Sequence, residues 1–445
     1  MALLDLYIQT TGSNLNAGTD NGSNPTPIPS VTCTVSTGTI TFTGASGAFT
    51  GVAVGAWVSL YNSADTIARF VGQVATNDNT TITVLYASGT GYSTTGLGLA
   101  TGLTSGGGAG AVLCRVGGAW AGFGITGTNG CMNGTVPSLS GAMTSATYNG
   151  LRVNIKAGTY AYAAAVTLPT ALTAKPIWYR GYYSTIGDID ECANINGTLT
   201  APAGATAAPS GATRPQITFS TTSGNNITSG AYSWFENLEF TNPTNTTGIS
   251  PTTFLRVHRC RFTGGTCIYG FVHATGCLFA PASNGAANSF GMYIGNVFRG
   301  GNPALTLLTN YFVAFNLFDS CTVGLALYSG GSSNIVVINN TFYNCGTGIT
   351  TGNNSSYQFV ANNIFSNCTS YGINNAMTNS WQLALHNNAF YSNTSGNVSS
   401  VFESTQRGLT LESSSPFVSP GASHDYTLVS GAASRQAGFP GQLEV

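Results

Sequence analysis

The stretch INNTFYNCGTGI at residues 338–349 returns as ANNIFSNCTSYGI at 361–373. In each, an asparagine stands two residues before a phenylalanine and a cysteine three residues after it. Related frames flank them in FENLEFTN, VHRCRFTGG, HATGCLFAP, YIGNVFRGG, AFNLFDSC and LHNNAFYSN. Together they set Phe240, Phe262, Phe279, Phe298, Phe318, Phe342, Phe365 and Phe390 at intervals of 22, 17, 19, 20, 24, 23 and 25 residues. That spacing is too irregular for leucine-rich repeats and too short for propeller blades. It fits a coil of three short strands whose turns vary in length, stacked into an all-β parallel solenoid.

Asn296, Asn316, Asn340, Asn363 and Asn388 precede the last five phenylalanines by two residues. Asparagine tolerates a left-handed bend and bonds neighbouring backbone. These side chains are therefore expected at a tight corner, stacked about 4.8 Å apart into a hydrogen-bonded ladder. Cys260 and Cys277 hold that position in earlier coils, so the ladder is expected to begin near residue 296. Cys321, Cys345 and Cys368 recur in the frame and read as free thiols stacked inside the coil. No CxxC pair supports a zinc site, and neither a metal nor another cofactor is expected.

Composition agrees with an ordered chain of short strands and turns: 445 residues with 58 Gly, 42% hydrophobic and only 6% charged. Disordered chains combine low hydrophobicity with high net charge. With 13 basic against 14 acidic residues and no basic block, nucleic-acid binding is not expected. No run of 18 apolar residues exists, so no membrane-spanning helix is expected. The opening Met1-Ala2-Leu3-Leu4-Asp5 lacks the basic and apolar regions of a signal peptide. Free thiols fit assembly in a reducing cytoplasm.

Residues 31–115 break the frame. CTVSTGTITFTG, GAWVSLYN, RFVGQVAT and TITVLYA alternate between Gly, Asn and Ser turns, which reads as an inserted small antiparallel β module. It serves as a particle-docking domain, a carbohydrate-binding module or a cap. TSGGGAG then returns the chain to the coil.

NNTFYNCGTGI and NNIFSNCTSYGI resemble the coil pattern of the right-handed parallel β-helix family that includes pectate lyases and phage tailspikes. LYIQTTGSNLNAGT (6–19), VNIKAGTY (153–160) and KPIWYRGY (175–182) are similar to that family's opening strand and first coils, and 415–438 to its closing segment. The resemblance implies an N-terminal strand and cap at 1–30, the module at 31–115, the β-helix at 116–400 and a closing segment at 401–445.

Polysaccharide lyases and hydrolases on such a scaffold need clustered carboxylates, with a basic residue or calcium for the lyases. Asp188, Asp190 and Glu191 sit in a Gly/Ala/Pro loop that reads as a solvated turn rather than a calcium site. Glu239 and Asp319 are expected to point outward four coils apart, roughly 19 Å, too far for a glycosidase dyad. Arg256, His258 and Arg261, with His273 on the next coil, are expected to form one outward basic strip. Such a strip most often makes surface salt bridges or a subunit contact; the alternatives are a surface for ligand or partner, or the site of a lyase.

Phe312, Val336 and Phe359 all stand six residues before their phenylalanine and should project outward together, marking an interface. The resemblance implies a homotrimer there; the alternative is that the 401–445 tail covers the column. Two functions follow. One is a structural component of a virus particle, such as a phage tailspike, fibre or head-decoration protein, assembled in the host cytoplasm with other virion proteins and in contact with surface polysaccharide. The other is a polysaccharide lyase or glycoside hydrolase.

Overall fold

A computed structural model describes residues 2–13, 25–36, 39–62, 70–85, 112–120, 148–168, 176–186 and 214–436, the last with short breaks. Asp188, Asp190 and Glu191 lie outside the described residues. The chain divides into two compact units: Met1–Tyr160 with Ala164–Ile186 and Thr228–Trp234, and Ala161–Ala163 with Gly187–Ile227 and Phe235–Val445.

In the first unit Ala2–Ile8, Tyr148–Lys156 and Ile177–Tyr182 stack in parallel. Leu6, Val153 and Tyr179 pair in register and are sealed from solvent. On the opposite face Arg152 donates from Nε to Asp5 Oδ1 at 2.6 Å and lies 5.9 Å from the Trp178 ring centre. A seven-stranded sheet also belongs to this unit, ordered Ile28–Pro29, Val112–Val116, Trp57–Asn62, Phe70–Asn77, Thr81–Leu85, Thr39–Thr43, Thr32–Ser36. Its registered pairs are antiparallel. Alternation puts Ile40, Phe42, Val58, Leu60, Ile82 and Val84 into one core, while Thr41 and Thr83 pair on the other side. The last strand leads to Trp120, whose N–H returns to the coil at Tyr7 O.

The second unit is a right-handed parallel β-helix. One sheet runs through Phe254–His258, Phe271–Thr275, Gly291–Ile294, Tyr311–Ala314, Asn334–Ile338, Tyr357–Ala361 and Leu383–His386, each paired in parallel with the next. Past a corner, a second series of strands carries the repeated phenylalanines, which pair in register from Phe240 to Phe390. Their rings stack face to face with centres 4.6–5.1 Å apart and planes within 13°. Each contact contributes about 0.5–1.5 kcal/mol beyond burial, so burial itself, about 1.5–3 kcal/mol per side chain, stabilises the stack more than ring contact does. The Gly-Ile that closes the coil pattern has a packing cause. A Cβ on Gly348 would stand 2.6 Å from the Phe365 ring, and one on Gly372 2.8 Å from that of Phe390.

The corner between the two series corrects one expectation. The left-handed residue is not the ladder asparagine but the one before it: Phe315, Asn339, Asn362 and Asn387 have φ of 58°, 58°, 55° and 47°. Turning the chain there points the next side chain inward along the stack. Asn316 donates through Nδ2 to Asn340 Oδ1 at 2.9 Å, Asn340 to Asn363 at 3.0 Å and Asn363 to Asn388 at 3.1 Å. The same Oδ1 atoms accept the backbone N–H of the preceding ladder residue. Asn296 joins the series through Asn316. Sulfur extends it upward, since Cys260 N–H donates to Cys277 Sγ at 3.4 Å and Cys277 N–H to Asn296 Oδ1 at 2.9 Å.

Asn340→Ala removes acceptors from both Asn316 donors and is expected to cost about 2–4 kcal/mol, measured by denaturant unfolding. Asn339→Ala touches no ladder bond and should cost only about 1 kcal/mol, through left-handed strain. Gln358 points into the coil between Ile335 and Leu383, is 2% exposed, and neither end of its amide has a partner. An unpaired buried amide costs about 1–3 kcal/mol. Gln358→Met, close in volume, should therefore raise stability by about 1 kcal/mol in the same measurement.

Candidate functional site

The two outward surfaces of the second unit meet different fates. On the phenylalanine-bearing strands, the residues just before the phenylalanines from Phe279 to Phe390 form the column Leu278, Val297, Leu317, Thr341, Ile364 and Ala389, apolar except at Thr341. The C-terminal hairpin of Phe417–Ser419 and Asp425–Leu428 packs on that column with Phe417, Tyr426 and Leu428. Beneath it Asp319, 2% exposed, accepts from Arg299 Nε at 3.1 Å and from Ser320 Oγ at 2.8 Å. Burial, and then the Asp319 carboxylate, push the Tyr426 phenol well above its ordinary pKa. Glu412 accepts the N–H groups of Ala433 and Ser434 and caps the helical turn Ala433–Gln436. The described hairpin of the tail is thus a cover for this surface.

Arg261 belongs to the covered series as well. It pairs in register with Glu239 and Leu278, and its Nε lies 4.0 Å from Glu239 Oε1. The basic strip expected to include it is therefore split. Arg259, at φ 52°, turns the corner between His258 and Arg261, so strand alternation cannot be counted through it.

The other surface, on the strands from Phe254 to His386, stays partly exposed among the described residues. Its central column joins two groups that the sequence presents separately. Arg256 pairs with His273, His273 with Met292, Met292 with Phe312, Phe312 with Val336, Val336 with Phe359 and Phe359 with Ala384. Phe359 is 41% exposed, Tyr357 on the same strand 55%, and Phe315 at the corner after Tyr311–Ala314 39%. At one end the Arg256 guanidinium lies 5.9 Å from the Phe254 ring, which meets the His273 imidazole edge-on at 4.4 Å. Partial burial, and then the charge on Arg256, hold the His273 pKa below its usual value, so this imidazole is neutral at pH 7. His258 Nδ1 lies 2.7 Å from Thr275 Oγ1. At the other end His386 packs against Phe359 with ring centres 5.5 Å apart.

Met292, Phe315, Tyr357 and His386 were missed by residue type, though an offset from the phenylalanine finds most of them. Met292 shares the six-residue offset of Phe312, and His386 shares with His258 an offset of four. Phe315 is found only by aligning the corner.

Chemically, this surface offers Arg256, the imidazoles of His258, His273 and His386, and a run of apolar groups. Most of the described carboxylates are engaged elsewhere. Asp5 holds Arg152, Asp78 accepts two N–H groups of its own turn, Glu239 faces Arg261 and Gln216, and Asp319 and Glu412 anchor the tail. Glu239 and Asp319 stand on either side of the phenylalanine stack, four rungs apart, each with its own partner. The ladder asparagines and Cys321, Cys345 and Cys368 lie inside the coil, buried, and these thiols are free.

A family model described as periplasmic copper-binding protein (NosD) matches residues 282–416, less than half of the chain. No curated protein matches the sequence. Among solved structures, pectate lyase Pel9A is similar at 15% identity and a TM-score of 0.38, over 70% of this chain and 88% of that one. A tailspike of Acinetobacter baumannii bacteriophage Fri1, a capsular polysaccharide depolymerase, is similar at 13% and 0.33, over 59% of this chain and 56% of its own. The A-module of an Azotobacter vinelandii mannuronan C-5 epimerase is similar at 11% and 0.33, over 61% and 93%. At these values none of them assigns the chain a function.

The residues present do not fit a copper centre. Among the described residues no three of His, Cys, Asp and Glu converge, and the thiols within 282–416 are sealed in the coil. Burial pushes Cys321 and Cys368 well above the usual thiol range, and Cys114 in the inserted sheet up to about 12. In the folded protein at pH 8, iodoacetamide should leave these three unmodified by mass spectrometry and label them fully in guanidinium. Labelling of Cys345 under native conditions would show that the stacked column opens.

Proposed function

We propose that this chain is a structural component of a virus particle, of the phage tailspike, fibre or head-decoration type, which attaches through the open face. The observation that carries this reading is the alignment of Met292, Phe312, Val336 and Phe359, with Tyr357 and Phe315, on an uncovered sheet surface. An apolar column that stays partly exposed in this way, with Phe359, Tyr357 and Phe315 the most exposed, supports an interaction site. Low charge supports the same reading, because a locked assembly does not need the charge that keeps free proteins apart. Free buried thiols are consistent with assembly in a reducing cytoplasm. Surface polysaccharide remains a partner in this reading, met by the aromatic and cationic end at Phe254, Phe271 and Arg256.

A second reading, a polysaccharide lyase or hydrolase, has one specific observation in its favour. Arg256 and the neutral His273 stand side by side on adjacent strands next to two aromatic rings, where a cation and a base would flank a sugar.

Immunogold electron microscopy of particles from the source material should place the chain on the virion. Phe359→Asp, at an exposed position, should keep the fold and abolish incorporation. A free soluble protein that releases reducing ends from a glycan panel, and loses that activity in Arg256→Ala, would favour the enzyme instead.

A further inference from the structure

The inserted sheet presents one face made of a single residue type. Its strands Thr32–Ser36, Thr39–Thr43 and Thr81–Leu85 read TCTVS, TITFT and TITVL. Alternation sends Ile40, Phe42, Ile82 and Val84 into the core and the threonines to the opposite face. Antiparallel register then sets these in rows, Thr32, Thr43 and Thr81 in one and Thr34, Thr41 and Thr83 in the next. Thr76 extends the second row onto a fourth strand, and Thr39 starts a third row. Among the described side chains of the three strands, every one on this face is a threonine.

From this grid we infer that the face binds ice. Neighbouring strands stand about 4.8 Å apart, and outward side chains about 6.8 Å apart along each strand. Both repeats are close to those of the oxygen atoms on a prism face of hexagonal ice. A threonine hydroxyl has one donor and two acceptor sites, so it can stand in for a water of the lattice. Its β-branch restricts χ1, which leaves few orientations open to each hydroxyl. Thr32, Thr34, Thr43 and Thr76 are exposed, with Thr39, Thr41, Thr81 and Thr83 half-buried. Thr32 also donates to Thr43 O at 3.2 Å, which ties one margin of the grid to the sheet. A charged group would hold its own hydration shell against the crystal, and these strands place none among the threonines. Asp78, in the adjoining turn, accepts the N–H groups of Thr80 and Thr81.

Strand preference alone does not give this face. Valine, isoleucine and tyrosine suit a strand as well as threonine does, and the core side of the same strands uses Ile, Phe and Val. A neutral polysaccharide is the other hydroxyl-rich surface to weigh. Sugar rings rest their C–H faces on aromatic rings, and the three strands describe none on this face; Trp57 is half-buried two strands from Thr81–Leu85. Twist sets the strength of the match. Adjacent strands rotate by about 20–25°, so the grid follows a crystal plane over three or four strands and not over a broad surface. The activity that follows is slowed recrystallisation rather than a large depression of the freezing point.

The test uses the full chain in two assays, partition into slowly grown ice and grain growth in fine-grained ice. The expected result is enrichment in the ice fraction and slowed growth. Thr41→Lys, at the centre of the grid, should raise the concentration needed to slow growth at least tenfold. Thr34→Lys and Thr76→Lys, at exposed margins, should weaken it in the same direction, and they carry the test where Thr41→Lys does not fold. Thr322→Lys, exposed in the second unit, adds the same charge outside the sheet and should change neither assay. Exclusion of the unaltered chain from ice, or equal partition of it and the three grid variants, would overturn the inference. Retention on insoluble cellulose or chitin without an effect on ice would also overturn it and make the face a polysaccharide platform. Because the grid belongs to the first unit, none of these outcomes decides whether the second unit attaches to a particle.

Discussion

The structure of the second unit depends on one corner. A residue with positive φ turns the chain, and the next side chain is thereby aimed along the stack, where an asparagine amide answers both the backbone N–H and the side-chain N–H of the coil before it. Each such oxygen accepts twice, at 2.9–3.1 Å. A slip of one residue would break both bonds at every level and send each outward side chain into the core. The ladder therefore fixes register, and register is what stacks the phenylalanines, the cysteines and the outward columns. Where sulfur replaces the amide at Cys277, the backbone bond survives at 3.4 Å, which keeps the geometry with a weaker acceptor.

Register also makes the coil's outer surfaces continuous. A column of like residues is built automatically once the frame repeats, and an apolar column in water has to be covered or used. The chain closes one with its own hairpin, through Phe417, Tyr426 and Leu428, and fastens the hairpin with Asp319 and Glu412. It leaves the other partly exposed.

How much of this was legible in the sequence follows from locality. The phenylalanine frame, the ladder position and the parallel coil depend on a repeated short pattern, so they could be read directly. The left-handed residue was assigned one position too late, because Asn339 and Asn340 are the same residue type and only the φ values separate them. Arg261 was assigned to the wrong surface for a related reason: period-two alternation holds within a strand, and the bend at Arg259 resets it. Arg256 and Phe312 were read as separate features although they share one offset, because they were sorted by chemistry rather than by frame. Which surface the tail covers had no local signal. Its strands are antiparallel and outside the repeat, and nothing local in Phe417 or Tyr426 says which column they meet.

The distribution of acids carries the remaining argument about function. A chain with 14 acidic residues in 445 has few carboxylates to allocate, and the placement of those described favours holding parts together. Asp5 and Glu239 secure arginines on neighbouring strands, Asp78 closes a turn, and Asp319 and Glu412 tie down the tail. Acid–base cleavage of a glycan calls for two groups at a set separation, free to exchange protons with substrate. A carboxylate buried under a hairpin against an arginine meets neither condition. Arg256 and His273 stand beside Phe254 as a cation and an imidazole on an aromatic floor, an arrangement suited to recognition.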